Sequence, residues 1–433
     1  MVGVIVVGAQ WGDEGKGKIV DLYAKEAEVI VRFCGGANAG HTVIHAGKKY
    51  KFNLLPSGVL HTQKTNLLGN GTVIEPEKLL AELAELKAAG ITPNLFISAK
   101  AHVVLPIHKD IDAAEEEHKQ GNAAGTTKRG IGPTYADKAA RFGLRFEEFC
   151  DEETLREKLP KLLHLKERML GIYGKSPSQT AEKTLSQYLS YSKECRKYIA
   201  DTSYILNDAI SKRKNVLFEG AQATMLDIDH GFYPYCTSSN TTAGGACTGS
   251  GVGPTAINEV VGVVKVYTSR VGEGPVPSEI FDSTAEKIRE RGGEFGTVTK
   301  RPRRIGWLDL VTLRYSKMVN GLTGLAFTRL DTLAGFSKVK ICIAYELEGK
   351  KLMHMPLTSQ EFALCTPIYK EFAGWEDLGA GWDKCAGNSL DTLPKNARTY
   401  LEFISKELAL PIYFVGVGPS REHAIVLKDV FKK

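Results

Sequence analysis

The chain has 433 residues, 43% of them hydrophobic, and its 56 basic and 50 acidic residues leave a formal charge of +6. That composition suits a folded protein with a sizeable core, and so small a basic excess in so long a chain argues against a nucleic-acid-binding role. No uncharged apolar run approaches the length needed to span a bilayer, so no membrane partner is expected.

The first expected element is a strand at Val2–Val7, a continuous β-branched run that suits burial on both faces of a parallel sheet. It follows no basic segment and flows into a glycine loop, which argues against a signal peptide. Similar short runs recur at Val29–Phe33, Asn215–Gly220, Val260–Tyr267 and Pro411–Gly418, with helical periodicity between several of them, as in "EPEKLLAELAELKAAG" at Glu75–Gly90. This alternation predicts an α/β fold with a mostly parallel central β-sheet and a P-loop-like phosphate-binding loop after the first strand. From about 151 to 214 the pattern is helix-like almost throughout, which reads as a helical insertion. No low-complexity linker or internal repeat divides the chain, so residues 1–433 are expected to form a single catalytic α/β domain. The eight cysteines are scattered, with no C-x-x-C pair and no zinc spacing, which fits reduced thiols and a cytoplasmic location.

The loop after the first run, "GDEGKGK" at Gly12–Lys18, has G-x-x-x-x-G-K spacing, yet Ile19 follows where a P-loop carries the Ser or Thr that ligates magnesium. Backbone N–H groups and a helix N-terminus there suit phosphate, with Lys16 or Lys18 neutralising charge. Asp13 is the natural substitute magnesium ligand, since that ion favours hard oxygen donors. The alternative is a solvated strand–helix turn whose acids complement the helix dipole.

Longer strings are more specific. "QWGDEGKGK", "GGANAGHT" (Gly35–Thr42), "TTKRGIGPTYADKAAR" (Thr126–Arg141), "LFEGAQATMLDIDHGFYPYCTSSNTT" (Leu217–Thr242) and "RPRRIGWLD" (Arg301–Asp309) resemble, in order, the motifs of the adenylosuccinate synthetase family. The likeness runs from residue 1 to about 420. It implies a GTP-dependent ligase that joins inosine monophosphate (IMP) and aspartate in the AMP branch of purine nucleotide biosynthesis. The O6 of the purine is a poor leaving group. Transfer of the γ-phosphate of GTP to it, giving 6-phosphoryl-IMP, lets the amine of aspartate displace it.

The resemblance implies that Asp13 is the general base that removes the N1 proton of IMP, and also a magnesium ligand together with the Gly40 carbonyl, one ion per subunit. His41 is implied as the general acid toward the moving phosphate, and Gln222 as the amide that holds the purine at O6. Asn38, Thr127 and Thr237 are implied as 5′-phosphate ligands, and Val271 as a backbone contact to ribose. Arg141 is implied to reach the neighbour's IMP site, which makes a homodimer. For aspartate the implied residues are Arg129, Thr299 and Arg301, the last also near IMP; guanidinium groups grip carboxylates in bidentate fashion. For GTP they are Gly12, Gly15, Lys16 and Gly17 in the loop, Gly40, Thr42 and Arg303 beside it, and Arg329, Asp331, Gly416 and Gly418 at the base. Four positions depart from the common family pattern: Val298 for threonine, Lys300 for glycine, Arg329 for lysine and Gly416 for serine. Asp331 is retained, and a carboxylate accepts from both guanine N1–H and the 2-amino group. The rival readings are a small-molecule P-loop kinase, which needs no aspartate loop, and a nucleotide-dependent switch, which leaves Asp13, His41 and Gln222 without a joint role.

Overall fold

The computed structural model describes residues 2–45, 48–119, 125–296, 301–420 and 422–432. Val298, Thr299 and Lys300 lie outside the described residues.

The β-branched runs form the middle of a ten-stranded sheet. In chain order its strands are β1 (Gly3–Gly8), β2 (Val29–Arg32), β3 (Thr65–Leu68), β4 (Asn94–Ser98), β5 (Ile199–Ala200), β6 (Val216–Glu219), β7 (Glu259–Lys265), β8 (Gly324–Thr328), β9 (Ile412–Gly416) and β10 (Ala424–Val426). Across the sheet the order is β10-β9-β8-β7-β1-β6-β2-β3-β4-β5. Every pairing is parallel except β9 with β10. All six residues of β1 are buried, as its unbroken apolar pattern requires of a strand covered on both faces.

β1 is also where the winding changes direction. The chain leaves it through the helix Lys16–Ala24 toward β2, while β6 and β7 later pair on its two sides. In open α/β sheets such a switch opens a crevice at the carboxyl ends of the strands, where ligands bind. The phosphate loop, Gln222, Arg329 and Gly416 all stand at the carboxyl ends of this sheet's strands.

The helix expected at Glu75–Gly90 spans Pro76–Ala88, with proline in its first turn, where a missing N–H costs nothing. Between 151 and 214 lie the helices Glu152–Ile172, Ala181–Cys195 and Thr202–Ser211. Asp151 caps the first by accepting from the Thr154 N–H at 2.9 Å. Its Leu155, Leu159, Leu162 and Leu163 recur at helical spacing and pack in one cluster with Leu105, Ile107, Phe146 and Phe149. The same stretch contributes β5, a two-residue strand that extends the sheet beside β4 and that the helix-like pattern concealed. A second sheet, also outside the sequence expectation, joins Lys338–Leu347 to Leu308–Asp309 in parallel and to Lys350–Leu352 and Thr366–Ala373 antiparallel.

Candidate active site

The loop after β1 is wound by positive φ angles at Gly12 (93°), Asp13 (58°) and Gly15 (88°). Glycine adopts that region freely, and aspartate is among the few other residues that tolerate it. Gly15 stands at the N-cap of the helix Lys16–Ala24, whose first N–H groups face the loop. The two acids have separate fates. Glu14 is buried, and its Oε1 accepts from the N–H groups of Gln10 (3.2 Å) and Gly12 (2.8 Å) while Oε2 pairs with Lys16 Nζ at 2.7 Å. Its charge therefore shapes the loop from inside. The Asp13 carboxylate faces outward, 41% exposed, with Oδ2 2.7 Å from Arg303 Nη2. Lys18 turns away from the loop and donates to the carbonyls of Gly418 and His423, both at 2.8 Å, so of the two lysines only Lys16 remains beside the phosphate loop.

Three close approaches gather the other candidates. A Cβ on Gly8, at the end of β1, would lie 2.5 Å from Glu14 Oε2 and 2.7 Å from the Gln222 carbonyl, so only glycine lets the loop and Gln222 meet there. The start of the hairpin His41–His45/Lys48–Phe52 packs against the phosphate loop: a Cβ on Gly17 would lie 3.3 Å from His41 Cβ and 3.4 Å from the Thr42 carbonyl. Gln222 has φ 56°, and its amide oxygen and nitrogen are both buried without a partner among the described residues, beside Gly35. An amide so placed offers a donor and an acceptor to a ligand.

His41 is likewise enclosed. Its Nε2 has no hydrogen-bond partner among the described residues and lies 3.8 Å from Glu219 Oε1. Burial pushes the imidazole below its ordinary pKa, with the Glu219 charge acting in the opposite direction. The segment before it is held by Arg32, a buried guanidinium at the end of β2 that donates to the carbonyls of Gly36 (2.8 Å) and Leu54 (3.0 Å). Gly36 N–H donates in turn to Asn38 Oδ1 at 3.2 Å, and Gly40 lies exposed before His41.

The segment Thr126–Gly130 is pinned at both ends. Asp112 accepts from Thr126 Oγ1 and the Gly130 N–H, each at 2.9 Å, leaving Thr127 exposed and Arg129 half-buried between them. Gly125 packs against Gly272, next to the exposed Val271. Arg141 stands exposed at the C-cap of the helix Ile131–Ala140, with φ 67°. Thr237 is half-buried, and its N–H donates to the Leu226 carbonyl at 2.8 Å. Asp227 closes that loop: its carboxylate accepts from the N–H groups of Asp229 (2.9 Å), His230 (3.0 Å), Thr241 (2.5 Å) and Thr242 (3.1 Å).

At the far end of the crevice, Arg329 and Asp331 follow β8, and Gly416 and Gly418 lie at the end of β9. Lys18 ties this end to the phosphate loop, and a Cβ on Gly416 would come within 3.4 Å of its Nζ. Burial lowers the Lys18 ammonium to about 8 despite the attraction of Asp331. Burial raises the Asp331 carboxyl, with the Arg329 charge opposing. Arg301 is exposed at the foot of the expected aspartate loop, with its carbonyl accepting from the Gly296 N–H at 2.8 Å.

The supporting residues Glu14, Arg32, Asp112, Asp227 and Glu294 were not among the sequence candidates. Charge inside a quoted motif was the available signal for Glu14 and Asp227, and charge in an otherwise apolar strand run for Arg32; Asp112 and Glu294 lie outside every quoted motif.

A glycine loop on a helix N-terminus, faced by an exposed carboxylate, an enclosed imidazole and an unpartnered amide at a sheet's switch point, defines a nucleotide-dependent group-transfer enzyme of the α/β class. A model of the adenylosuccinate synthetase family matches residues 5–425, and the chain belongs to that family. The adenylosuccinate synthetase of Listeria welshimeri is 48% identical over 433 residues, covering all of both chains. That of Caldicellulosiruptor bescii is 49% identical over 426 residues, 98% of this chain and 99% of its own. Among solved structures, fully ligated adenylosuccinate synthetase from Plasmodium falciparum superposes with a TM-score of 0.91 at 40% identity, covering 98% of this chain and 99% of that one. A cyanophage S-2L succinoaminodeoxyadenylate synthetase shares the fold at a TM-score of 0.62 and 20% identity. The activity is adenylosuccinate synthesis, the C–N bond-forming ligase step (EC 6.3.4.4) of AMP biosynthesis, and the family uses GTP with IMP and aspartate.

Proposed function

We propose that Asp13, His41 and Gln222 carry out phosphoryl transfer to O6 of IMP. The observation that supports this reading best is the pair of unpartnered buried groups, the Gln222 amide and His41 Nε2, on segments that both touch the phosphate loop. Gln222 orients the purine through O6. Asp13, exposed beside Arg303, takes the N1 proton, so that O6 attacks as an oxyanion and 6-phosphoryl-IMP forms. His41 is kept neutral by burial, and a neutral ring still presents one N–H donor to the moving phosphate. Negative charge arriving on that phosphate favours the protonated ring and so its role as general acid. Aspartate, held by Arg129, Thr299 and Arg301, then displaces the phosphate.

Asn38, Thr127 and Thr237 take the 5′-phosphate, Val271 meets ribose through its backbone, and Arg141 serves the neighbouring subunit's site in a homodimer. Arg129 and Thr127 share a loop pinned by Asp112, which suits groups that must be held in place rather than merely present. The nucleotide residues are those of the phosphate loop with Gly40, Thr42 and Arg303, and at the base Arg329, Asp331, Gly416 and Gly418. Magnesium fits the donors here: Asp13 offers an exposed carboxylate in the phosphate loop, and the carbonyl of Gly40, the residue before the His41 that packs against Gly17, would supply a second hard oxygen. When bound, the ion supplies charge neutralisation on the phosphates. We read the whole chain as one catalytic unit with a helical insertion, and its location as cytoplasmic. No helix among the described residues is long and apolar enough to cross a membrane.

The test is chromatography of products from GTP, magnesium, IMP and aspartate, omitting each in turn and replacing GTP by ATP. Adenylosuccinate and GDP appearing together, only in the complete mixture, support the assignment. Equal turnover with ATP removes Asp331 as the base-selecting group.

A further inference from the structure

Four charged side chains run inward from the exposed carboxylate at the phosphate loop. Asp13 Oδ2 meets Arg303 Nη2 at 2.7 Å, and Arg303 Nη1 meets Glu294 Oε2 at 2.6 Å. The other oxygen of Glu294 is held by Lys265 Nζ at 2.6 Å and accepts from the Tyr267 hydroxyl at 2.5 Å. Lys265 donates also to Ser269 Oγ at 2.5 Å. Glu294 is 0% exposed, Lys265 2% and Arg303 8%.

The backbone reinforces this line. The Arg303 N–H donates to the Glu294 carbonyl at 2.9 Å, and Phe295 bridges Pro302 antiparallel, so Glu294 and Arg303 are cross-strand partners. Lys265 ends β7, the strand beside β1, and its N–H donates to Gln10 Oε1 at 2.8 Å, which ties the inner end of the line to the same loop that carries Asp13. A guanidinium fixed from behind by a buried carboxylate presents its outer nitrogen at one place only, because the planar fork has no freedom left once one arm is bonded.

A buried Lys–Glu–Arg chain is a poor way to gain stability, since the desolvation of its ions offsets their attraction. Here it serves the exposed end. We propose that Glu294, clamped by Lys265 and Tyr267, is a positioning residue for the reaction: it fixes Arg303, and Arg303 fixes the orientation of the Asp13 carboxylate toward the purine. This rests on the reading of Asp13 as the base. Arg303 then has a task at Asp13 besides any contact with nucleotide.

The experiment compares Glu294→Gln, Arg303→Met and the combination, with Lys265→Met/Glu294→Gln as the variant that leaves no buried lysine unpaired. Steady-state kcat, direct GTP dissociation constants and thermal midpoints are measured for each. The proposal expects Glu294→Gln and Lys265→Met/Glu294→Gln to lower kcat about 10–100-fold, the scale of a misplaced reacting group, with GTP affinity within about twofold. It also expects Glu294→Gln to have no further effect in the Arg303→Met background, because a residue that acts through another is non-additive with it. Multiplicative losses in the combined variant, an unchanged kcat in folded Lys265→Met/Glu294→Gln, or an unchanged kcat in Arg303→Met each overturn it. Asp13→Asn is run beside them: if it retains full turnover, the reading of the base fails, and with it the ground of the proposal.

Discussion

Lys166 is 2% exposed on the long helix Glu152–Ile172, and its ammonium pairs with Asp137, itself 1% exposed. The second oxygen of Asp137 lies 3.0 Å from His108 Nε2, while His108 Nδ1 receives the Leu105 N–H at 3.0 Å, which fixes the proton on Nε2. Replacing Lys166 by methionine keeps the stem and removes the charge. Among the described residues, the carboxylate left behind keeps only the hydrogen bond from His108, so the cost follows the buried-pair scale of about 3–5 kcal/mol rather than the small surface value. With a urea slope of about 3 kcal/mol/M, the unfolding midpoint falls by roughly 1–2 M. The signature of the mechanism is its pH dependence. Burial holds His108 below its usual pKa, Asp137 raises it and Lys166 lowers it further. Without Lys166 the His108 pKa rises, so a protonated ring can balance Asp137; that compensation is present at low pH and lost as pH rises through the new pKa. The deficit of Lys166→Met is therefore smaller near pH 5 than near pH 8. Asp137→Asn/Lys166→Met, which removes both charges, regains most of the midpoint. A Lys166→Met midpoint within 0.3 M of the parent (roughly 1 kcal/mol on the same slope), or a deficit independent of pH, refutes the reasoning. The pair also bears on the site, because the Asp137 carbonyl accepts from the Phe142 and Gly143 N–H groups and so closes the turn that presents Arg141.

Asp13→Asn keeps the loop's shape, since Glu14 and the glycines set it, and lowers synthesis by about 10²–10⁴-fold with nucleotide binding retained; product formation against a binding titration checks this. Mixing inactive Arg141→Leu with inactive Asp13→Asn restores part of the activity under conditions that exchange subunits, and no recovery there counts against shared sites. Burial raises the Asp309 carboxyl to about 6, against the hydrogen bonds from Tyr345 and the helix N–H groups. Its folded pKa exceeds the unfolded value, so the fold binds its proton preferentially and stability declines by about 3 kcal/mol as pH rises from about 4 to 6. Asp309→Asn removes that slope, and parallel stability curves for the two proteins across this window would contradict it.

The strands at the centre of the sheet were legible because burial on both faces demands unbroken β-branched runs, as in Val2–Val7. The edge strand Ile199–Ala200 was not, since two residues between helices have no period of their own and take their conformation from β4 alongside. The phosphate loop could be named from its own glycine spacing, whereas His41 and Gln222 were named only by the resemblance of the strings around them to a family's motifs. Their mutual placement was not legible. The sequence by itself determined the chemistry available: two acids in a glycine loop, an imidazole, an amide and a run of arginines. Only tertiary structure decided that Glu14 is spent on loop amides while Asp13 is presented outward, that Lys18 serves the base end of the crevice, and that Arg303 is fixed between Glu294 and Asp13. A charge is set by whatever stands opposite it, and the partners of Asp13 and Lys18, Arg303 and Gly418, lie hundreds of residues along the chain, beyond the reach of any local pattern.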